Sequence, residues 1–258
     1  MNAASGPPHT GHPPARRLRA ERPPTGRSVL AFLAVWVGGA AVLATAGWFA
    51  AVAALHGAPS QTPTLLAVAL AYASIPAAAL VVYRTTGVRE QLAVRAPGRR
   101  ALGPALGAWV AVLAGAAVVQ LGVGASTGSL FEPSLAVVRS ATDMARFAHS
   151  TTVDWVLIVV RALLLAAIGE ELVFRGLLYG WLARYLPMRG VVVVTSVLFT
   201  AEHGYYPVLL PMAMLFGLAT GWLRSWSGSV VPGMAVHVLT DALLFVIALT
   251  ATAHGVPA

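Results

Sequence analysis

Seven long apolar stretches, separated by short polar or proline- and glycine-containing joints, organise this chain. They lie at about 28–55, 62–83, 101–123, 153–182, 190–206, 208–223 and 230–253. Most reach or approach the ~20 residues a helix needs to cross ~30 Å of hydrocarbon. The fifth and sixth are shorter and are joined by Tyr205, Tyr206 and Pro207. They read as two short spans or as partly interfacial helices. Pro104, Pro211 and Pro232 fall near segment starts, where a missing N–H is tolerated. Pro76 falls inside the second segment and predicts a kink. Residues 124–152 form the longest predicted loop, in which 135–139 has the makings of a short interfacial helix. No internal repeat is visible. The expected fold is an all-α polytopic transmembrane bundle of about seven membrane-embedded helices.

Composition agrees. Of 258 residues, 58% are hydrophobic and only 10% charged, against roughly 25% charged in soluble domains. Mean hydropathy is +0.77. The absence of cysteine excludes disulfides and thiolate metal sites. The net charge is +8, and all 17 basic residues are arginine. Apart from Arg161 and Arg175 in the fourth segment, the arginines sit between or beside the apolar runs, which argues against nucleic acid as a partner and for a lipid bilayer.

With a cytoplasmic amino terminus and seven crossings, the inside regions hold Arg16, Arg17, Arg19, Arg22, Arg27, Arg84, Arg89, Arg95, Arg99, Arg100, Arg184, Arg189 and Arg224. The outside loops hold only Arg139 and Arg146. That asymmetry favours this orientation, in an integral protein of a bacterial cytoplasmic membrane. Residues 1–27, rich in Pro, Gly and Arg, are expected to be a disordered basic tail. Residues 28–258 form the helical domain. A cleaved signal peptide does not fit, because the first apolar run is far longer than the roughly 7–15 residues of a signal core.

Against this apolar background the ionisable residues stand out. Glu170 and Glu171 are adjacent in the fourth segment, with Arg175 following. His203 ends Phe199-Thr-Ala-Glu-His, and His237-Val-Leu-Thr-Asp241 lies in the seventh segment. Each charge at the centre of a bilayer costs roughly 2.5–3.5 kcal/mol, so such residues are functional candidates. Residues four apart share a helix face. Glu171 and Arg175 therefore stack, with the acid on the favourable amino-terminal side. Glu170 points elsewhere and stays free to act as a base. At ~1.5 Å rise per residue the three motifs lie at compatible depths.

The chain lacks His-Glu-x-x-His, Gly-x-Ser-Gly and Gly-x-Gly-Asp. What it offers is a set of carboxylates and imidazoles that can activate water directly or through a metal. Two other readings use the same residues. One is a non-catalytic scaffold or bacteriocin-immunity-type protein that keeps the polar cluster for folding. The other is a proton-coupled transporter, against which there are no repeated halves with paired broken helices.

The three motifs resemble those of the CPBP family, which includes type II CAAX prenyl endopeptidases and abortive-infection proteins. The family order Glu-Glu-xxx-Arg, Phe-xxx-His, His-xxx-Asn/Asp appears here as Glu170-Glu171-xxx-Arg175, Phe199-xxx-His203 and His237-xxx-Asp241. The resemblance covers about residues 150–250. It implies an intramembrane endopeptidase acting on a peptide or a membrane-anchored protein. Glu170 would be the general base, and His203 would help activate water. His237 and residue 241 would stabilise the oxyanion, with Glu171, Arg175 and Phe199 in support.

The prenyl proteases carry Asn at the position of Asp241. A charged Asp241 would repel an oxyanion and is better suited to orienting His237. No cofactor is firmly implied. A divalent metal such as zinc, if used, would fall to His203, His237, Glu170 and Asp241. Oligomeric state is left open.

Overall fold

The computed structural model describes residues 26–54, 62–85, 92–128, 151–203 and 210–253. Among them the chain forms seven helices and no strand. These are α1 (Gly26–Ala54), α2 (Thr62–Thr85), α3 (Leu102–Thr127, after a 3-10 turn at Arg99–Ala101), α4 (152–182), α5 (Met188–Glu202), α6 (Leu210–Ser227) and α7 (Val231–Ala253). Each predicted apolar segment corresponds to one helix, so the expected all-α bundle is borne out. Of the tail expected at 1–27, Gly26 and Arg27 instead begin α1, while its residues 1–25, the stretch 135–139 and the joint 205–207 lie outside the described residues.

Local sequence explains most of the ends. Pro104, Pro211 and Pro232 all fall in the first turn of their helices, and Pro76 stands inside α2. α3 stops at Gly128, whose φ of 74° is open to glycine at little cost and whose N–H meets the Gly124 carbonyl at 2.9 Å.

α4 starts with a capping box. Thr151 Oγ1 accepts from the Asp154 N–H at 3.2 Å, and Asp154 Oδ2 accepts from the Thr151 N–H at 2.9 Å. The Thr62 hydroxyl donates to Asp154 Oδ1 at 2.6 Å. One buried carboxylate thus caps α4 and ties the start of α2 to it.

α4 is the central element. It touches α2, α5, α6 and α7, while α3 packs on α6 and α7, and α1 lies along α2. One apolar cluster joins Ile75, Ala78 and Ala79 of α2 to Leu172 and Leu177 of α4. A second joins Ala108 and Val112 of α3, Phe199 of α5, Ala213, Phe216 and Leu223 of α6, and Val236 of α7.

Small residues let α5 and α6 approach. A Cβ on Gly217 would meet Ser196 Cβ at 2.9 Å, and one on Gly221 would meet Val192 Cγ1 at 3.1 Å. This is the small-xxx-small spacing of close helix pairs in membranes.

The polarity of the bundle is that of a protein in lipid. Leu102, Leu106, Val110, Val118 and Leu121 line an exposed apolar stripe on α3. Arg175, Glu171 and Glu170 are buried instead. Thr62–Val81 and Arg99–Ser126 are each long and apolar enough to cross a membrane.

Candidate active site

The site is built around the middle of α4. The α-helical turn Ala167–Glu171 carries the twin acids, and π-helical stretches at Val160–Ala166 and Leu172–Leu178 flank it. Single π-helical turns occur often at functional sites. Arg175 Nη1 lies 3.2 Å from Glu171 Oε1, and both side chains are fully buried. The expected stacking of this pair is therefore present.

Glu170 keeps off the guanidinium but does not turn away from its neighbour. Both carboxylates reach the imidazole of His237, one at each ring nitrogen. Glu170 Oε2 is 3.8 Å from Nε2, and Glu171 Oε1 is 3.5 Å from Nδ1. Adjacent side chains of a helix diverge by about 100°. Here the ring spans that divergence, because its two nitrogens face different ways. Asp241 Oδ2 approaches Nε2 at 3.6 Å and, at 25% exposure, is the most open acid of the cluster. His237 thus has three carboxylate neighbours.

These separations exceed hydrogen-bond length. Glu170 Oε2, both oxygens of Glu171, Nε and Nη1 of Arg175 and Nδ1 of His237 are buried without a hydrogen bond. Each such atom costs about 1–3 kcal/mol in an ordinary core. Six gathered at one place mark where water or a bound group is to be looked for.

Aromatic rings close the other side. The Arg175 guanidinium carbon lies 4.4 Å from the centre of the Phe199 ring and 6.0 Å from that of Phe216. Phe216 also packs on His237 at 4.4 Å.

His203 stands at the carboxyl end of α5, half-buried, with Nδ1 2.9 Å from the Phe199 carbonyl oxygen. Its ring lies 4.7 Å from that of Phe199, which in turn lies 6.0 Å from His237. His203 therefore joins the cluster through Phe199. It is also close enough to Asp241 and Glu202 to interact electrostatically.

Residues 152–243 match the family of Rce1-like type II CAAX prenyl endopeptidases. This bears out the resemblance carried by the three motifs, and the matched segment runs from the start of α4 into α7. No curated protein and no solved structure matches the chain. An Rce1-like segment and membrane-length apolar helices together make this a membrane protein.

The Rce1-like segment includes residues that the motifs do not reveal. Gly233 lets α7 lie against the ion pair, since a Cβ there would meet Glu171 Oε2 at 2.6 Å. The Gly217 carbonyl accepts from Arg175 Nη2 at 3.3 Å. Arg224, counted from the sequence among the inside regions, is buried in the last turn of α6. Its Nε donates to the Arg175 carbonyl at 3.0 Å. The only advance signal was the Gly217-xxx-Gly221 spacing, which marks a close helix contact but not a site.

As placed, the side chains do not suit a metal. Among the described residues no three His, Asp or Glu side chains are arranged to hold an ion. Glu170, Glu171 and Asp241 each turn toward His237 itself.

Proposed function

We propose that the protein is an intramembrane endopeptidase that hydrolyses a peptide bond with carboxylate-activated water. One observation carries the reading. Of two adjacent buried glutamates, Glu171 is neutralised by Arg175, whereas Glu170 Oε2 has no hydrogen bond and lies 3.8 Å from His237 Nε2. A base held away from the compensating cation is the group able to take a proton.

In this reading water sits between Glu170 and the scissile carbonyl, with His203 on its far side. Glu170 takes the proton as the oxygen attacks carbon. An N–H of His237 faces the developing oxyanion, and Glu170 then returns the proton to the leaving amine. Asp241 orients His237 from the open side of the ring, a role that its carboxylate fits better than oxyanion donation. Burial strengthens each of these interactions by excluding bulk solvent. The substrate class that fits is a peptide or the membrane-proximal segment of a lipid-anchored protein, approached through the bilayer.

The test is turnover by purified protein in proteoliposomes, using a quenched-fluorescent peptide library with and without a prenyl anchor. Wild-type protein should cleave a member of the library. Glu170→Ala and His203→Ala should not, and full activity in either variant would overturn the assignment.

A further inference from the structure

We propose that Arg224 is a positioning residue for the Arg175–Glu171 pair. Through it α6, which carries none of the three motifs, would set the geometry of the acids on α4. The proposal rests on the peptidase reading above for its kinetic consequence, but not for its structural one.

The argument begins with an expensive placement. Arg224 is only 5% exposed. Among the described residues its electrostatic neighbours are Tyr179 and the like-charged Arg95. Burying a guanidinium is costly, and its contacts with described residues show what holds it.

Those contacts converge on one residue. Nε of Arg224 donates to the backbone carbonyl of Arg175 at 3.0 Å. Seven residues earlier on the same helix, and so two turns away on one face, the Gly217 carbonyl accepts from Nη2 of the same Arg175 at 3.3 Å. α6 therefore holds Arg175 at both ends, by main chain and by guanidinium. The guanidinium in turn holds Glu171, and Glu171 lies against His237.

The held carbonyl belongs to the π-helical stretch Leu172–Leu178, where the regular ladder is interrupted and an outside donor can enter. The Tyr179 ring lies 5.0 Å from the Arg224 guanidinium carbon and fixes the plane of the group. Arginine is needed because its planar fork stacks on the ring while Nε–H points at the carbonyl. A lysine ammonium supplies the charge without that direction.

The test compares wild type with R224K and R224A in reconstituted full-length protein. In R224K, kcat should fall at least tenfold while KM changes by less than twofold, since the acids shift but substrate contacts do not. In R224A, millimolar guanidinium chloride should restore several-fold of the lost kcat. Independently of any substrate, amide hydrogen exchange in R224K should quicken at least tenfold at residues 172–179, with the unfolding temperature within a few degrees of wild type.

Wild-type kcat in R224K, a rise in KM alone, or unchanged exchange at 172–179 would each overturn the proposal. If R224K does not fold, exchange in R224Q, which keeps a donor without the charge, decides. Protection of 172–179 there should fall between wild type and R224A, and equality with R224A refutes the role. Wild-type protein inert toward every peptide would sink the peptidase reading, while the exchange result would still decide this one.

Discussion

Replacing Gly233 by alanine adds a single methyl group, and the structure indicates where it must go. The new Cβ would sit 2.6 Å from Glu171 Oε2 and 3.6 Å from Thr220 Cβ. Glu171 is fully buried and paired with Arg175 at 3.2 Å, so its carboxylate is not a loose end that swings aside. It would have to retreat from 2.6 Å to about 3.4 Å for ordinary contact. That movement stretches the ion pair or changes the 3.5 Å approach to His237 Nδ1.

Overpacking of this kind costs about 1–3 kcal/mol. Removing a helical glycine returns up to about 1 kcal/mol, and less than that in the first turn of α7. The net loss of stability should therefore be about 1–2 kcal/mol. Catalysis should suffer more, because misplacement near 1 Å can cost about 100-fold. The assays are thermal unfolding in detergent and peptide turnover in proteoliposomes. A G233A variant with wild-type turnover and an unchanged or raised unfolding temperature would show that α7 does not press on the acid pair, and would refute the reasoning.

Three further outcomes are expected. Glu170→Gln should lower turnover by about 10²–10⁴, the usual worth of a general base, while the unfolding temperature holds or rises. Rescue of a deletion strain by this variant as fully as by wild type would favour a scaffold. Arg175→Met should destabilise by about 3–5 kcal/mol, because it strands a buried carboxylate. Adding Glu171→Leu should recover most of that loss without restoring activity, and a double variant as unstable as the single one would contradict the pairing. Since among the described residues no three side chains are set to hold an ion, the metal-free reading proposed above expects treatment with EDTA and buffer exchange to leave turnover within twofold. Loss of turnover restored by zinc alone would reverse this reading.

The bundle was legible because lipid rewards long apolar runs with little variation, and all seven runs became helices. The ion pair was legible for a local reason, as Glu171 and Arg175 are one turn apart on a single helix. The convergence of Glu170 and Glu171 on opposite nitrogens of His237 was not. It depends on where α7 lies, and nothing in α4 specifies that.

The π-helical stretches of α4 escaped for a different reason. In a membrane segment the buried and lipid-facing sides are both apolar, so a change of helical pitch leaves little trace in the hydrophobic pattern. The part of α6 in the site was hidden because it acts through a backbone carbonyl at Gly217, an aromatic face at Phe216 and an arginine near a helix end. Each of these looks ordinary when read singly.

The energetics bear on what the cluster is for. A buried ion pair contributes little that well-packed apolar side chains of similar volume would not supply, and often less. If Glu171 and Arg175 served only to hold helices together, apolar replacements would serve as well, and no second acid would be needed beside them. Yet Glu170 adds another carboxylate at 8% exposure, and Asp241 adds one more near the same ring. Every addition raises the cost of folding unless a proton, a water or a substrate group completes the site. In the proposed reading the surroundings that make Glu170 expensive also make it useful, since the Arg175 guanidinium is engaged by its neighbour. Stability alone does not account for three carboxylates around one imidazole, whereas the proposed proton transfer to and from water requires a base there.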